Sequence, residues 1–253
     1  MKITFLGTGT SQGVPVIACG CSVCQSVNPK DSRLRTSILI ENSGQTIIID
    51  TGPDFRQQML NAKVKNLDAV VFTHAHKDHT AGLDDIRAFN YVSRSKMNVF
   101  ATLEVQEQLK REYDYVFAGV YYPGIPEIQL HTIDNNPFKV GETTFIPIEV
   151  LHLRLSVFGF RIGNFTYITD ANFISDKEMK KIEGTEVLVI NALRLQKHVS
   201  HFTLEEALQI IKKVHPKQAY LTHISHQLGL HNEVEKILPP NVHCAYDGLT
   251  LEI

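Results

Sequence analysis

A mixed α/β fold, with strands and helices following one another through two successive halves of the chain, is what the sequence predicts. Three observations carry it. Short apolar, β-branched runs recur between turn residues, which is the pattern of buried strands. Between them lie stretches whose apolar residues return every three or four positions, the period of an amphipathic helix. The 253 residues, 43% apolar and 21% charged, suffice for one large core, so residues 1–253 are read as a single domain.

In the first half, residues 2–6, 37–41 and 46–50 read as strands, with Asn42-Ser43-Gly44-Gln45 as a hairpin turn between the last two. Residues 54–61 form a first helix, with Pro53 or Asp54 at its start. Residues 68–73 are short, apolar and β-branched, hence a buried strand. A helix over residues 84–91, a strand at 99–101 and a helix over 103–111 follow. In the second half, strands at 128–130, 143–149, 157–162 and 165–169 precede a helix at 175–182 and a strand at 186–191. Thr203-Leu204-Glu205-Glu206 is close to a capping box and opens a helix to Val214 with Leu204, Ala207, Leu208 and Ile211 on one face. A strand at 218–222, a helix at 232–238 and a strand at 249–251 complete the chain. Periodicity by itself supports a mixed fold and nothing finer.

Directly after residues 68–73 comes His74-Ala75-His76-Lys77-Asp78-His79, three imidazoles and one carboxylate in six residues. Imidazole nitrogen and carboxylate oxygen are the donors that hold zinc, manganese or iron. His74 and His76 leave extended backbone on the same side, whereas the adjacent Asp78 and His79 point differently as the chain turns. One loop can then face two ions with two donor pairs. That arrangement points to a dinuclear centre, with ions about 3.5–4 Å apart.

This motif resembles the His-x-His-x-Asp-His signature of the metallo-β-lactamase superfamily. The resemblance implies further ligands in a fixed order, and His152, Asp170 and His223 stand at the ends of apolar stretches in that order. It implies one ion on His74, His76, His152 and Asp170, and another on Asp78, His79, Asp170 and His223. It also implies a fold, the αββα four-layer sandwich, with the metals where loops converge at the sheet edge.

Cys19, Cys21 and Cys24 gather three of the four cysteines, and Cys244 stands alone. Neighbouring thiols in a reducing compartment are metal ligands more often than disulfides, and structural zinc wants four closed donors. His226 and Cys244 both offer a fourth. A Cys-x-Cys-x-x-Cys cluster together with Thr222-His223-Ile224-Ser225-His226 resembles the PhnP branch of the superfamily, the phosphoribosyl cyclic phosphodiesterase type. That branch implies a structural zinc on Cys19, Cys21, Cys24 and His226. It also implies a proton donor to the leaving oxygen at His201, for which His198 is a nearby competitor. The segment from Phe5 to Pro15 looks like the branch's glycine-rich start, whose glycines would let backbone approach the metal loop.

The activity so implied is that of a metal-dependent phosphoric diester hydrolase acting on a small phosphodiester, cyclic sugar phosphates included. Its cofactors are two divalent catalytic ions, Mn2+ or Zn2+, and one structural Zn2+. Asp170 bridges the ions, Asp78 ligates and orients the nucleophile, and His201 protonates the departing alkoxide. Arg33 and Arg35 either reach a second phosphate or form a solvated pair. The aromatic tract at 113–124 reads as a packed flap or a homodimer contact ahead of a lid. His131, His215, His231 and His243 read as ordinary surface or core residues.

Two alternatives share the resemblance. One is the tRNA 3′-processing endonuclease, which has the same dinuclear ligands. The other is coenzyme PQQ biosynthesis protein B, similar in its cysteine cluster and in Asp50-Thr51-Gly52-Pro53-Asp54, where iron could activate oxygen. A net charge of −2 offers no broad basic surface for nucleic acid, and no stretch resembles the endonuclease's tRNA-gripping arm. No apolar run approaches the ~20 residues of a membrane span. The first residues are too briefly apolar for a secretory signal, so a cytoplasmic location is expected.

Overall fold

The computed structural model describes residues 1–119 and 124–253. Its first half supplies β1 (Lys2–Gly7), β2 (Ser37–Asn42), β3 (Gln45–Ile49), β4 (Ala69–Val71), β5 (Met97–Ala101) and β6 (Ile128–Thr132). The second half supplies β7 (Phe138–Val140), β8 (Thr143–His152), β9 (Leu155–Ile162), β10 (Phe165–Ile168), β11 (Phe173–Ile174), β12 (Val187–Asn191), β13 (Gln218–Thr222) and β14 (Val242–Cys244). A last strand, β15 (Thr250–Glu252), returns to the edge of the first sheet. The strand orders are β15-β1-β2-β3-β4-β5-β6 and β11-β8-β9-β10-β12-β13-β14, with β7 beside β8.

Side chains along a strand alternate between its two faces. Ile38, Ile40, Ile47, Ile49 and Val71 therefore point to the space between the sheets, where they meet Phe145, Phe160, Phe165 and Tyr167. The residues between them, Leu39, Ile48 and Val70, point the other way and bury Phe55, Met59, Phe89 and Leu109 of the outer helices. On the far face of the second sheet, Leu188, Ile190, Ala219 and Leu221 cover Ile182, Leu204, Ala207 and Ile211. The result is helix, sheet, sheet and helix in four layers, as the resemblance implied.

Most expected elements lie within three residues of where periodicity put them. The helix expected at 84–91 instead begins as a 3-10 turn, Leu83–Ile86, and becomes α-helical only over Arg87–Ser93. The helix expected at 232–238 spans His231–Glu235. Strands β7, β11 and β14 had no signal, because two or three residues cannot display a period of two. No helix among the described residues is long and apolar enough to cross a membrane.

Candidate metal centre

Beyond β4 the chain passes through Thr73 and His74 into a single helical turn, Lys77–Thr80, with His76 at its N-cap. That turn carries Asp78 and His79 inward together. Backbone bonds hold it: the Thr51 N–H donates to the His79 carbonyl and the Gly82 N–H to the Thr51 carbonyl, both at 2.8 Å. A Cβ on Gly52 would lie 2.2 Å from the Asp78 carbonyl oxygen, and one on Gly82 2.2 Å from that of Gly52. Only glycine permits so close an approach.

Opposite this loop stand Asp170, just past β10, and His223, just past β13. His79 Nε2 lies 3.2 Å from Asp78 Oδ2 and 3.2 Å from Asp170 Oδ2. His223 Nε2 lies 3.2 Å from Asp170 Oδ1 and 3.7 Å from Asp78 Oδ2. The donor atoms of these four residues fall within 4.8 Å of one another. The rings of His74, His76 and His152 form a triangle beside them, with centroids 4.6, 5.1 and 6.0 Å apart. Asp170 belongs to both sides, since its donor atoms also group with those of His152 and His201. His201 Nε2 stands 3.0 Å from Asp170 Oδ1, and its Nδ1 lies 3.2 Å from His198 Nδ1. All seven groups expected from the sequence, and His201, thus converge where strand ends of the two sheets meet.

Hydrogen bonds decide which nitrogens face the cluster. Buried Asp50 accepts from the Thr73 N–H at 2.9 Å, the Thr73 hydroxyl at 2.8 Å and His79 Nδ1–H at 2.7 Å. With its proton directed at Asp50, the Thr73 oxygen accepts His74 Nδ1–H at 3.0 Å. Both rings then turn Nε2 inward, the nitrogen each would offer to a metal. Those two atoms are buried without a hydrogen-bond partner, as are His152 Nδ1 and both nitrogens of His223. A buried, unsatisfied polar atom costs about 1–3 kcal/mol. Lone pairs from several histidines gathered beside two carboxylates are a donor set for divalent ions.

Charge in the cluster is strongly perturbed. Burial alone would raise the Asp170 carboxyl, but His223 and His79 hold it well below the usual range. Asp78, also pushed up by burial, is held down by His79 and His223. Burial lowers His74, His152 and His201, the last to about 4, so each is neutral near pH 7. His79 goes the other way: burial opposes its charge, yet Asp170, Asp50 and Asp78 lift it well above its ordinary value. Three residues here also have left-handed backbone, with φ of 66° at Asp50, 55° at Asp170 and 53° at His223. Such strain, roughly 1–3 kcal/mol each, persists where surrounding structure imposes it, typically at functional sites.

The cysteine cluster closes on His226. Donor atoms of Cys19, Cys21, Cys24 and His226 lie within 4.8 Å of one another, with His226 Nδ1 3.4 Å from Cys19 Sγ and 3.3 Å from Cys21 Sγ. The Cys24 N–H and then His226 draw the Cys21 thiol down to about 6, whereas burial pushes Cys24 up to about 11. Cys244 lies elsewhere, buried near His231 and Glu235, with its thiol raised to about 12 by burial.

Two sequence expectations change. The glycine-rich start backs the strand end carrying His223, not the histidine loop: Ile224 N–H donates to the Thr8 carbonyl at 2.9 Å and Thr10 N–H to the Ile224 carbonyl at 3.1 Å. Arg33 and Arg35 do not form a solvated pair: the first is buried, and the second, partly exposed, is bound to a carboxylate. Arg33 is buried and donates to Thr8 Oγ1 at 2.8 Å and to the Ala245 carbonyl at 2.5 Å, while Arg35 forks Asp54 at 3.1 Å. In the aromatic tract, Tyr113 donates to the Thr80 carbonyl at 2.8 Å and Tyr115 to Asp84, so both prop the metal loop from behind. Residues 120–123 of that tract lie outside the described residues. Thr73 had no sequence signal of its own, and Asp50 figured only in the Asp50–Asp54 resemblance without a role, because their partners appear only on folding.

A cavity of about 490 Å³ adjoins the loop at His74, with Glu104, Asp134 and Glu149 in its wall together with Leu155 and Phe158. A family model described as a β-lactamase superfamily domain matches residues 45–224. A Porphyromonas gingivalis protein named octanoyltransferase is 40% identical over 252 residues, covering 98% of this chain but 51% of its own length. The chain therefore spans about half of that relative. The crystal structure of a diphosphatase from the PhnP family superposes with a TM-score of 0.93 at 37% identity, covering 99% of this chain and 96% of that one. Zinc-bound PqqB from Methylobacterium extorquens superposes with a TM-score of 0.82 over 100% of both chains at 18% identity, a likeness of fold alone.

Proposed function

The chain belongs to the metallo-β-lactamase superfamily, and from that footing we propose that it is a hydrolase using two divalent ions to cleave a small phosphodiester. One observation carries this reading. The donor atoms of Asp170 group with those of Asp78, His79 and His223 on one side and with that of His152 on the other, as those of a carboxylate shared between two ions would. Bound divalent ions supply a water that ionises near neutral pH and positive charge opposite the phosphate.

The chain's own residues hold and orient. His74, His76, His152 and Asp170 would hold one ion, and Asp78, His79, Asp170 and His223 the other. Asp50 and Thr73 fix the tautomers of His79 and His74, so that Nε2 is the donor in each. Asp78 orients the nucleophile. Burial keeps His201 neutral in the resting site; the anionic phosphate arriving beside it raises its basicity, so that it would take up a proton and, as the imidazolium, give it from Nε2 to the leaving oxygen. Cys19, Cys21, Cys24 and His226 would hold a closed zinc that ties the N-terminal loop to the His223 strand end.

The PhnP-family diphosphatase supports a second reading, cleavage of a P–O–P linkage. His201 separates the two. A phosphate leaves without much help whereas an alkoxide needs a proton, so His201→Ala should slow a sugar diester far more than a diphosphate. The octanoyl transfer that names the longer relative we assign to the portion of it outside the match.

The test is turnover of aryl phosphodiesters, ribose cyclic phosphates, diphosphates and thioesters by protein loaded with Mn2+ or Zn2+. Diester turnover is expected, falling at least roughly 10²–10³-fold in Asp170→Ala. Undiminished turnover in that variant overturns the proposal, and tightly held iron in the purified protein would favour oxygen chemistry instead.

A further inference from the structure

We infer that Asn191 is a positioning residue that sets Asp170 and His201 in register, an inference that rests on the metal-centre reading. Asn191 is the last residue of β12 and is fully buried. Its side chain grips one residue in both directions: Oδ1 accepts the Ala171 N–H at 2.8 Å, and Nδ2 donates to the Ala171 carbonyl at 2.9 Å. The parallel pairing of β10 with β12 ends at Ile168 opposite Ile190. Past that point the Asn191 amide stands in for the missing backbone rung and holds the chain just beyond Asp170.

Two catalytic positions depend on the residue so held. Ala171 directly follows Asp170, whose left-handed φ of 55° survives only if its neighbours are fixed on both sides. Before it, β10 does this; after it, Asn191 does. The Ala171 carbonyl also accepts the Phe202 N–H at 2.7 Å, and Phe202 directly follows His201. One buried amide therefore anchors both partners of the 3.0 Å contact between Asp170 Oδ1 and His201 Nε2. The role needs an acceptor and a donor on one short side chain. Leucine supplies neither and leaves the Ala171 N–H unpaired, while aspartate supplies only the acceptor.

The test measures ion affinity at the histidine–aspartate cluster by competition with a chromophoric chelator, alongside metal content and melting temperature, in the full chain. Asn191→Leu should weaken cluster affinity roughly 10–100-fold while zinc at the cysteines is retained. Asn191→Asp should fall between it and wild type. In an Asp170→Asn background, Asn191→Leu should change affinity less than about twofold, because its effect passes through Asp170. Ile190→Ala, buried on the same strand, should lower the melting temperature without shifting affinity. Wild-type affinity in Asn191→Leu, or an effect adding in full to that of Asp170→Asn, overturns the inference. If Asn191→Leu does not fold, wild-type affinity in Asn191→Asp does the same. A wild-type cluster that takes up no ions would sink the metal-centre reading, and this inference with it.

Discussion

Asp50 accepts three hydrogen bonds, and replacing one oxygen by NH2 sets a conflict that can be worked out atom by atom. In Asp50→Asn the amide cannot face the Thr73 N–H, a fixed donor, so it must take the side where His79 and the rotatable Thr73 hydroxyl lie. His79 is then driven to the tautomer that protonates Nε2 and closes it to a metal. We expect roughly 10–100-fold weaker ion binding, measured by chelator competition, and unchanged affinity would refute this account. Asp247 makes a separate statement about pH. Burial raises its carboxyl to about 6 from 3.8, although it accepts the Leu34 N–H at 2.7 Å and the Thr8 hydroxyl at 2.8 Å. A carboxyl raised on folding contributes stability in full below its unfolded pKa and loses it as pH rises through the folded one. The stability of wild type relative to Asp247→Asn should therefore fall by about 2 kcal/mol between pH 4 and pH 7, after allowance for partial exposure, in denaturant unfolding.

Among elements, the helical turn Lys77–Thr80 rests on Gly52 and Gly82, which lets two glycines be compared. Gly52→Ala drives a Cβ into the Asp78 carbonyl, so it should cost about 1–3 kcal/mol and weaken ion affinity together. Gly44→Ala, at φ 76° with nothing near its Cβ, should cost only about 1 kcal/mol and leave affinity alone. Equal loss of affinity in both would show that the contact is not what matters. Legibility divides along the same line. Strands such as 38–40 and 47–49 announced themselves because alternate residues enter different cores, and the histidine loop because its chemistry is dense in sequence. Asn191 and Asp50 were illegible because their partners are 20 and 29 residues away, and nothing local marks a buried amide or carboxylate as a clamp. Arg33 was misread for the same reason. Its partners Thr8 and Ala245 come from distant strand ends, so two nearby arginines looked like a surface pair.

For the molecule as a whole, the metal centre is a seam. The histidine loop leaves the first sheet, while His152, Asp170 and His223 leave the second, so ions bound there would join the two. Stripping them with a chelator should lower stability by about 2.7–4 kcal/mol if they had been present at 100–1,000 times Kd. Amide exchange should rise first at the ends of β4, β10 and β13. Uniform change across both sheets would argue against a seam. The layered fold was only partly readable, since alternation showed strands and helices but not which sheet faced which. The superfamily resemblance supplied the layering, and the shared core of Ile38, Ile47, Phe145 and Phe160 bears it out.

That shared core has a consequence during synthesis. Ile38, Ile40, Ile47 and Ile49 emerge from the ribosome well before Phe145, Phe160 and Tyr167, the side chains that shelter them. A nascent chain halted near residue 136 would display a bare isoleucine-rich face with no companion layer. Such an intermediate is sticky, and keeping it soluble falls to chaperones until translation delivers the rest.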